Sequence, residues 1–168
     1  MSGYPTLKPA FTVQVTIDLP LAVGSASRSS PLQVVPMTGG IVKSDPSFST
    51  AIDAQFVGVG NDYIHADPDG KHMRLNAHGV LKTADDALIY LNYTGVCALT
   101  DAEKAVFSGT APAGPTPFGN LFTHFTFETG DERYKDLENS VFVGQGRFNI
   151  EPGKPTVVEY RVSQVLHN

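Results

Sequence analysis

FTHFTFETGDERYKDLENSVFVGQGRF, residues 122–148, has the pattern of a strand, a tight polar turn, a short helical turn and a second strand. In its first arm, Phe125 and Phe127 alternate with His124 and Glu128. Because side chains of a strand point alternately to its two faces, one face is apolar and the other carries groups that can exchange protons. The stretch therefore predicts a β-rich fold, and it offers His124 and Glu128 as first candidates for chemistry.

The same alternation recurs on both sides of this stretch. Residues 7–19, 48–58 and 156–166 alternate in the same way, and residues 71–83 and 87–96 are predicted to form a hairpin. The second faces of these strands carry Thr, Asn, His, Tyr and Gln, which is more typical of a pocket lining than of a solvated surface. We therefore predict an all-β fold, a closed antiparallel, lipocalin-like (calycin-like) β-barrel of about 8–10 strands.

One segment has the signals of a short helix. Thr100 can cap it, Glu103 stands where a capping box needs an acid, and Gly109 can end it. Residues 110–119, with three prolines and two glycines, are predicted to be a long loop that could cover a pocket. The whole chain, residues 1–168, is predicted to be one barrel domain.

The composition excludes several classes of function. The net charge is −5 and no run of Lys or Arg occurs, which disfavours nucleic-acid binding. No signal peptide and no apolar run of about 20 residues is visible, so we expect a soluble, cytoplasmic protein without a membrane partner. The single cysteine, Cys97, excludes an intramolecular disulfide and is predicted to be a small core residue.

Two neighbouring strands carry a candidate polar wall. Asn76 and His78 are two residues apart on one strand, and Tyr90 and Asn92 are two apart on its probable partner. If both faces point into the barrel, this wall could orient a phenolic substrate, with His78 as proton acceptor. The alternative is an outer, solvated face, because alternation does not reveal which face is inside.

Three further groups are candidates for acid–base work. A carboxylate inside an apolar barrel has a raised pKa and can act as a general acid, a role open to Glu128 and Asp62. The alternatives are structural: Glu128 could bond turn amides or pair with Arg133, and Asp62 could bond its own backbone. His124 could equally be a base, a core residue or a surface residue.

No metal or cofactor is predicted. His65, Asp67, Asp69 and His72 have the composition of a metal site but lack a recognised ligand spacing, and ordinary turn chemistry explains them. No phosphate-binding loop or dinucleotide motif is present in the sequence.

Several short motifs occur in one order along nearly the whole chain. They are PMTGG (36–40), NDY (61–63), DG (69–70), TADDALIY (83–90), FETGD (127–131), Tyr134, Leu137, Asn139 and FVGQG (142–146). This ordered set resembles the domain-of-unknown-function family 3237, and within it the fungal branch. The resemblance implies a closed antiparallel β-barrel. Some members of that branch stand among polyketide biosynthetic enzymes and are associated with cofactor-free cyclisation, in which a phenolic hydroxyl adds to an alkene.

Together with the candidate residues above, this resemblance implies a cofactor-independent cyclase or isomerase of a small hydrophobic phenolic natural product. The implied reaction is stereoselective intramolecular addition of a hydroxyl to an alkene (hydroalkoxylation). His78 or His124 would be the base, and Asp62 or Glu128 the acid. The predicted substrate contacts are Asn76, Tyr90, Asn92, Tyr63 and Thr38.

Two other functions remain open at this stage. One is a non-catalytic, lipocalin-like carrier of a hydrophobic metabolite, and the other is a self-associating structural protein with a plugged barrel. A pocket with at least two ionisable groups favours the enzyme, a purely apolar pocket favours the carrier, and a filled barrel excludes both. An exposed strand edge could support a homodimer.

Overall fold

Alternating sequences form ten strands, one α-helix and one 3₁₀ helix within residues 3–167, the part of the chain that the computed structural model describes. The strands are β1 (Thr6–Ile17), β2 (Leu21–Gly24), β3 (Leu32–Ser44), β4 (Asp53–Ala66), β5 (His72–Thr83), β6 (Leu88–Ala98), β7 (Gly114–Pro115), β8 (Leu121–Thr129), β9 (Phe142–Ile150) and β10 (Thr156–Leu166). The helix α1 spans Asp101–Phe107, and the 3₁₀ helix spans Glu132–Leu137.

Eight of the strands close into a barrel. They follow the order β1-β10-β9-β8-β6-β5-β4-β3, and β3 pairs back with β1, with every pairing antiparallel. The short strands β2 and β7 lie outside this ring, β2 on β3 and β7 on β9. The predicted closed antiparallel barrel is confirmed. No helix within residues 3–167 is long and apolar enough to cross a bilayer.

The strand β4 is longer than the sequence pattern indicated. The pattern ended a strand at Gly58 and placed a turn before Tyr63, but β4 continues through this point with a register shift between Phe56 and Gly60. Gly58 has φ +74°, a left-handed conformation that suits glycine. The shift adds two residues to β4 relative to β5, so the alternation is preserved and Asp62 shares the inner face with Phe56.

The predicted helix is present, but its capping box is not. Thr100 is the N-cap residue, and its hydroxyl bonds the Glu103 carboxylate instead of a backbone N–H. The Asn120 amide also donates to Glu103, at 3.1 Å, which ties α1 to the start of β8. The loop expected to act as a lid lies elsewhere, because Phe118 packs on the Arg147 guanidinium on the outer wall.

Aromatic side chains fill one end of the barrel. Phe11 contacts the rings of Phe48, Phe125, Phe127 and Phe142, with ring centroids 5.1–6.4 Å apart. All five are 9% exposed or less. We call these five residues the aromatic plug. Since the plug occupies only one end, the opposite end of the barrel is free to hold a cavity.

Candidate functional site

A cavity of about 360 Å³ occupies the end of the barrel opposite the aromatic plug. Its walls are mainly apolar side chains from six strands: Val35, Ile64, Leu75, Leu121, Phe148 and Val158. The rim is formed by residues 17–20, the end of α1 with Phe107, and residues 154–156. Phe107 packs edge-on against Phe148 at 5.4 Å, so the end of α1 and Gly109 just after it border the mouth. The predicted lid loop, residues 110–119, contributes no lining residue.

Asp62 is the buried carboxylate of this cavity. It is 6% exposed and lines the cavity from β4. Its Oδ1 accepts a hydrogen bond from the Asn76 backbone N–H at 2.9 Å, and no group among residues 3–167 hydrogen-bonds to Oδ2. Burial raises the pKa of Asp62 to about 7, against the opposing effect of the Asn76 N–H. Near neutral pH the carboxyl can therefore both accept and release a proton.

Tyr93 and Tyr160 line the same cavity. Each is 1% exposed, and their rings are 5.1 Å apart. Burial raises the pKa of both phenols well above the ordinary value, so both remain neutral. After burial, the neighbouring Tyr160 is the next cause of the raised pKa of Tyr93.

Cys97 also lines the cavity but is unsuited to nucleophilic chemistry. It is 1% exposed, and burial together with Glu103 and Asp62 raises the pKa of its thiol to about 12. Because the thiolate is the reactive form, this residue serves as apolar wall. The expectation of a small buried cysteine is confirmed.

The predicted polar wall faces away from the cavity. On β5 the inner positions are taken by Leu75 and Ala77, so His78 lies on the outer face. Its Nδ1 hydrogen-bonds the Tyr90 hydroxyl, and the Asn92 amide donates to the Ala77 carbonyl at 2.7 Å. The inward alternative for this wall is therefore wrong. The contribution of Asn76 to the cavity is its backbone N–H, while its exposed side chain accepts from Asn92 at 3.2 Å.

The other two predicted substrate contacts also lie outside. Tyr63 is 38% exposed, with its ring 6.0 Å from that of His78. Thr38 is exposed, and its hydroxyl donates to the Thr16 carbonyl at 3.4 Å. Neither lines the cavity.

His124 and Glu128 are on the outer face of β8, because Phe125 and Phe127 take the inner positions. The turn role suggested for Glu128 is performed by other acids: Asp131 bonds Arg133, and Glu138 accepts from the Thr129 N–H at 2.6 Å. Of the four predicted acid–base residues, Asp62 alone lines the cavity.

One of the two carboxylates in the metal-like segment, Asp67, is already paired with an arginine. Asp67, Asp69 and His72 place one potential ligand atom each within 4.8 Å of one another. Arg74 donates two hydrogen bonds to Asp67, the shorter at 2.6 Å, which holds the pKa of that carboxyl below its usual range. The prediction of no metal stays a prediction.

The raised pKa of Asp62 has a consequence for stability. Between the ordinary value of 3.8 and about 7, the folded protein binds more protons than the unfolded chain, so its unfolding free energy falls as pH rises through this window. Asp62→Asn removes the penalty and keeps an oxygen for the Asn76 N–H. We expect the variant to exceed wild type in stability at pH 8 by about 2–4 kcal/mol, but not at pH 4. Urea unfolding at the two pH values measures this, with Asp53→Asn on the outer face of β4 as control. Equal pH dependence in Asp62→Asn and wild type would contradict it.

Comparison with known proteins gives relatives along most of the chain. A UPF0311 protein of Clostridium acetobutylicum is 28% identical over 134 residues, which cover 79% of this chain and 80% of that protein. A conserved protein of unknown function from Rhodopseudomonas palustris has the same fold, with a TM-score of 0.77, 23% identity, and coverage of 97% of this chain and 99% of that chain.

Two further solved structures share the architecture. A beta-barrel like protein of Acinetobacter baumannii has a TM-score of 0.71 at 22% identity, covering 96% of each chain. An enzyme from Penicillium herquei has a TM-score of 0.62 at 21% identity, covering 96% of this chain and 94% of that one. Residues 5–165 match the family described as "Protein of unknown function (DUF3237)". The chain belongs to this family.

Proposed function

We propose that the protein is a cofactor-independent enzyme that closes a ring in a small apolar, oxygenated compound by adding one of its hydroxyls to a carbon–carbon double bond. The observation that carries the proposal is Asp62, a buried carboxyl whose pKa is about 7 and whose Oδ2 has no partner among residues 3–167. It lies in a cavity of about 360 Å³. An acid–base group with a pKa near the working pH is the most effective, because it can act in both directions.

The chemistry needs only one such group. The Asp62 carboxylate takes the proton of the substrate hydroxyl while the oxygen attacks one carbon of the double bond. The protonated Asp62 then delivers the same proton to the other carbon, which regenerates the carboxylate. One O–H and one C=C are converted into one C–O and one C–H, so the product is an isomer of the substrate and no co-reactant is consumed.

The apolar walls supply the rest of the catalysis. A substrate enclosed by Leu75, Leu121, Phe148 and Val158 is held in a folded shape with its reacting atoms close together. Because Asp62 projects from one wall, strand β4, only one face of a bound double bond meets the acid. This arrangement supports formation of a single stereoisomer.

A carrier is the second candidate, favoured by the apolar composition of these same walls. The ionisable groups of the cavity argue against a carrier, because Asp62, Tyr93 and Tyr160 all line the cavity. Burying a carboxyl costs stability, and a carrier of apolar compounds gains nothing from it.

Turnover in D₂O separates the two functions. The purified protein is incubated with phenols that carry an unsaturated ortho side chain, and products are identified by mass, NMR and chiral chromatography. We expect a cyclic isomer with one deuterium on the carbon next to the new C–O bond and an excess of one enantiomer. Recovery of unchanged phenols that nevertheless bind, detected by calorimetry, would support the carrier and contradict the enzyme.

A further inference from the structure

The pair Tyr93 and Tyr160 is a second polar feature of the cavity, and the proton transfer by Asp62 does not use it. Two phenolic hydroxyls contribute two donor hydrogens. A bond between the two hydroxyls can use only one of these hydrogens, so at least one donor hydrogen of the pair is left for a bound molecule. No other hydrogen bond to either hydroxyl exists within residues 3–167. Both residues line the cavity, and both are 1% exposed.

We propose that the double bond of the substrate is conjugated to a carbonyl group, and that the Tyr160 hydroxyl, supported by Tyr93, donates a hydrogen bond to the carbonyl oxygen. The substrate class is therefore a hydroxy-enone. This inference rests on the proposed function, since it concerns the same cavity and the same ring closure.

The strength of the available acid favours this class. With its pKa raised to about 7, Asp62 is a weaker acid than an ordinary carboxylic acid. An isolated alkene is protonated through a carbocation, for which a weak acid is a poor donor. An enolate carbon accepts a proton from such an acid readily. Among the described residues that line the cavity, the other carboxylate is Asp18, which is exposed at the rim and accepts from the Leu19 N–H at 2.7 Å. No second buried carboxylate among these residues therefore lines the cavity to stabilise a cation.

Neutral phenols suit the charge that develops in the enone reaction. The substrate hydroxyl loses its proton to the Asp62 carboxylate, and its oxygen bonds to the β-carbon. The π electrons move to the carbonyl oxygen, which becomes an enolate oxygen held by the Tyr160 O–H. The protonated Asp62 then gives its proton to the α-carbon, and the carbonyl is restored. Donors already fixed in an apolar site stabilise such an oxyanion more than water does.

Under this inference the Tyr93 hydroxyl, whose ring lies 5.1 Å from that of Tyr160, donates to the Tyr160 oxygen and strengthens this donor. A phenol whose oxygen accepts a hydrogen bond from a second phenol gains in its own ability to donate, because such chains polarise one another. Tyr160 is therefore a catalytic residue under this inference, and Tyr93 is a positioning residue that acts through it.

Two probes of different chemistry test the substrate class. 2′-Hydroxychalcone is a hydroxy-enone that closes to a flavanone, and 2-(3-methylbut-2-enyl)phenol offers the same hydroxyl to an isolated alkene. We expect wild type to close the enone with an excess of one enantiomer, and to leave the prenylphenol unchanged. Tyr160→Phe should lower kcat for the enone by about 10²–10³-fold with little change in KM.

The matched control is Tyr134→Phe. It removes another buried phenol, whose hydroxyl donates to Asp85 at 3.3 Å far from the cavity, and it should leave kcat within about twofold. Closure of the prenylphenol at a rate equal to or above that of the enone would overturn the substrate class and leave the proposed function standing. Equal kcat in the Tyr160→Phe and Tyr134→Phe variants would do the same.

If neither probe is cyclised, that result counts against the proposed function. Binding of 4-nitrophenol then tests separately whether Tyr160 donates a hydrogen bond to an oxyanion in the cavity. Its phenolate oxygen resembles the enolate oxygen, and its absorbance reports the charged form. We expect wild type to bind the phenolate, Tyr160→Phe to bind it at least about 10-fold more weakly, and Asp62→Asn to bind it at least as tightly as wild type. Equal affinity in the Tyr160→Phe and Tyr134→Phe variants, or no binding to wild type, would overturn the inference.

Discussion

Asp62→Asn is expected to lower kcat/KM for ring closure by about 10²–10⁴-fold, the range contributed by a well-placed general acid–base group. Asparagine has nearly the same shape as aspartate, and its side-chain oxygen can still accept the Asn76 N–H that Oδ1 of Asp62 accepts at 2.9 Å. The change therefore removes proton transfer while leaving the cavity intact. Substrate binding, measured by calorimetry, should change by less than about threefold, because the walls make most of the contacts.

The pH dependence of kcat/KM shows whether Asp62 enters the reaction as a base or as an acid. The first step needs the Asp62 carboxylate, so kcat/KM for wild type should rise tenfold per unit below pH 7 and level off above it. The variant should show a flat residual rate over the same range. A wild-type rate that falls as pH rises through 7 would mean that Asp62 enters the reaction as an acid, which contradicts the order of steps proposed above.

The control is Asp53→Asn, which changes an exposed carboxylate on the outer face of the same strand. Above pH 7, where Asp62 is ionised, it alters the net charge by the same amount as Asp62→Asn. Its kcat/KM and pH profile should match those of wild type. If both variants keep full activity, the acid–base role of Asp62 is wrong. If both lose activity equally, the loss reflects charge and not the cavity carboxyl.

Much of the fold could be predicted from the sequence because the strands alternate so regularly. In β8 the apolar positions of Phe125 and Phe127 can only face a core, which fixes the outer side of His124 and Glu128 once the barrel is known to be closed. The closure itself depends on pairing β1 with β10, which lie at opposite ends of the described chain, and no local pattern specifies that contact.

The site was harder to predict, for reasons that individual residues make plain. Asn76 and His78 were predicted to line the pocket because they are polar. Arg74 shares their face of β5, whereas Leu75 and Ala77 occupy the opposite, buried face. This alternation indicates that the polar face is the outer one. Tyr93 alternates in step with Leu91, so it is indistinguishable from a core residue in the sequence. Its role depends on Tyr160, a partner 67 positions along the chain in β10, and only the closed barrel brings them together.

Phe11→Ala is expected to destabilise the protein by about 3–5 kcal/mol, the range typical of a buried phenylalanine. Phe11 is 2% exposed and its ring contacts the four other rings of the aromatic plug. Its loss leaves a void among side chains that are held by their own strands and cannot move together to fill it. For a chain of this size, we expect the melting temperature to fall by about 6–20 °C, measured by calorimetry.

Phe122→Ala is the matched control for this prediction. Phe122 is also a phenylalanine on a barrel strand, but it is 56% exposed, so its removal should change the unfolding free energy by no more than about 0.5 kcal/mol. Equal losses of unfolding free energy in the two variants would show that the aromatic plug makes no special contribution to stability.

The expected difference explains how this barrel tolerates a cavity at all. One end is closely packed, and the stability of that end offsets the cost of burying Asp62 in the other end. A destabilised Phe11→Ala protein should therefore keep the pH profile set by Asp62 until it unfolds.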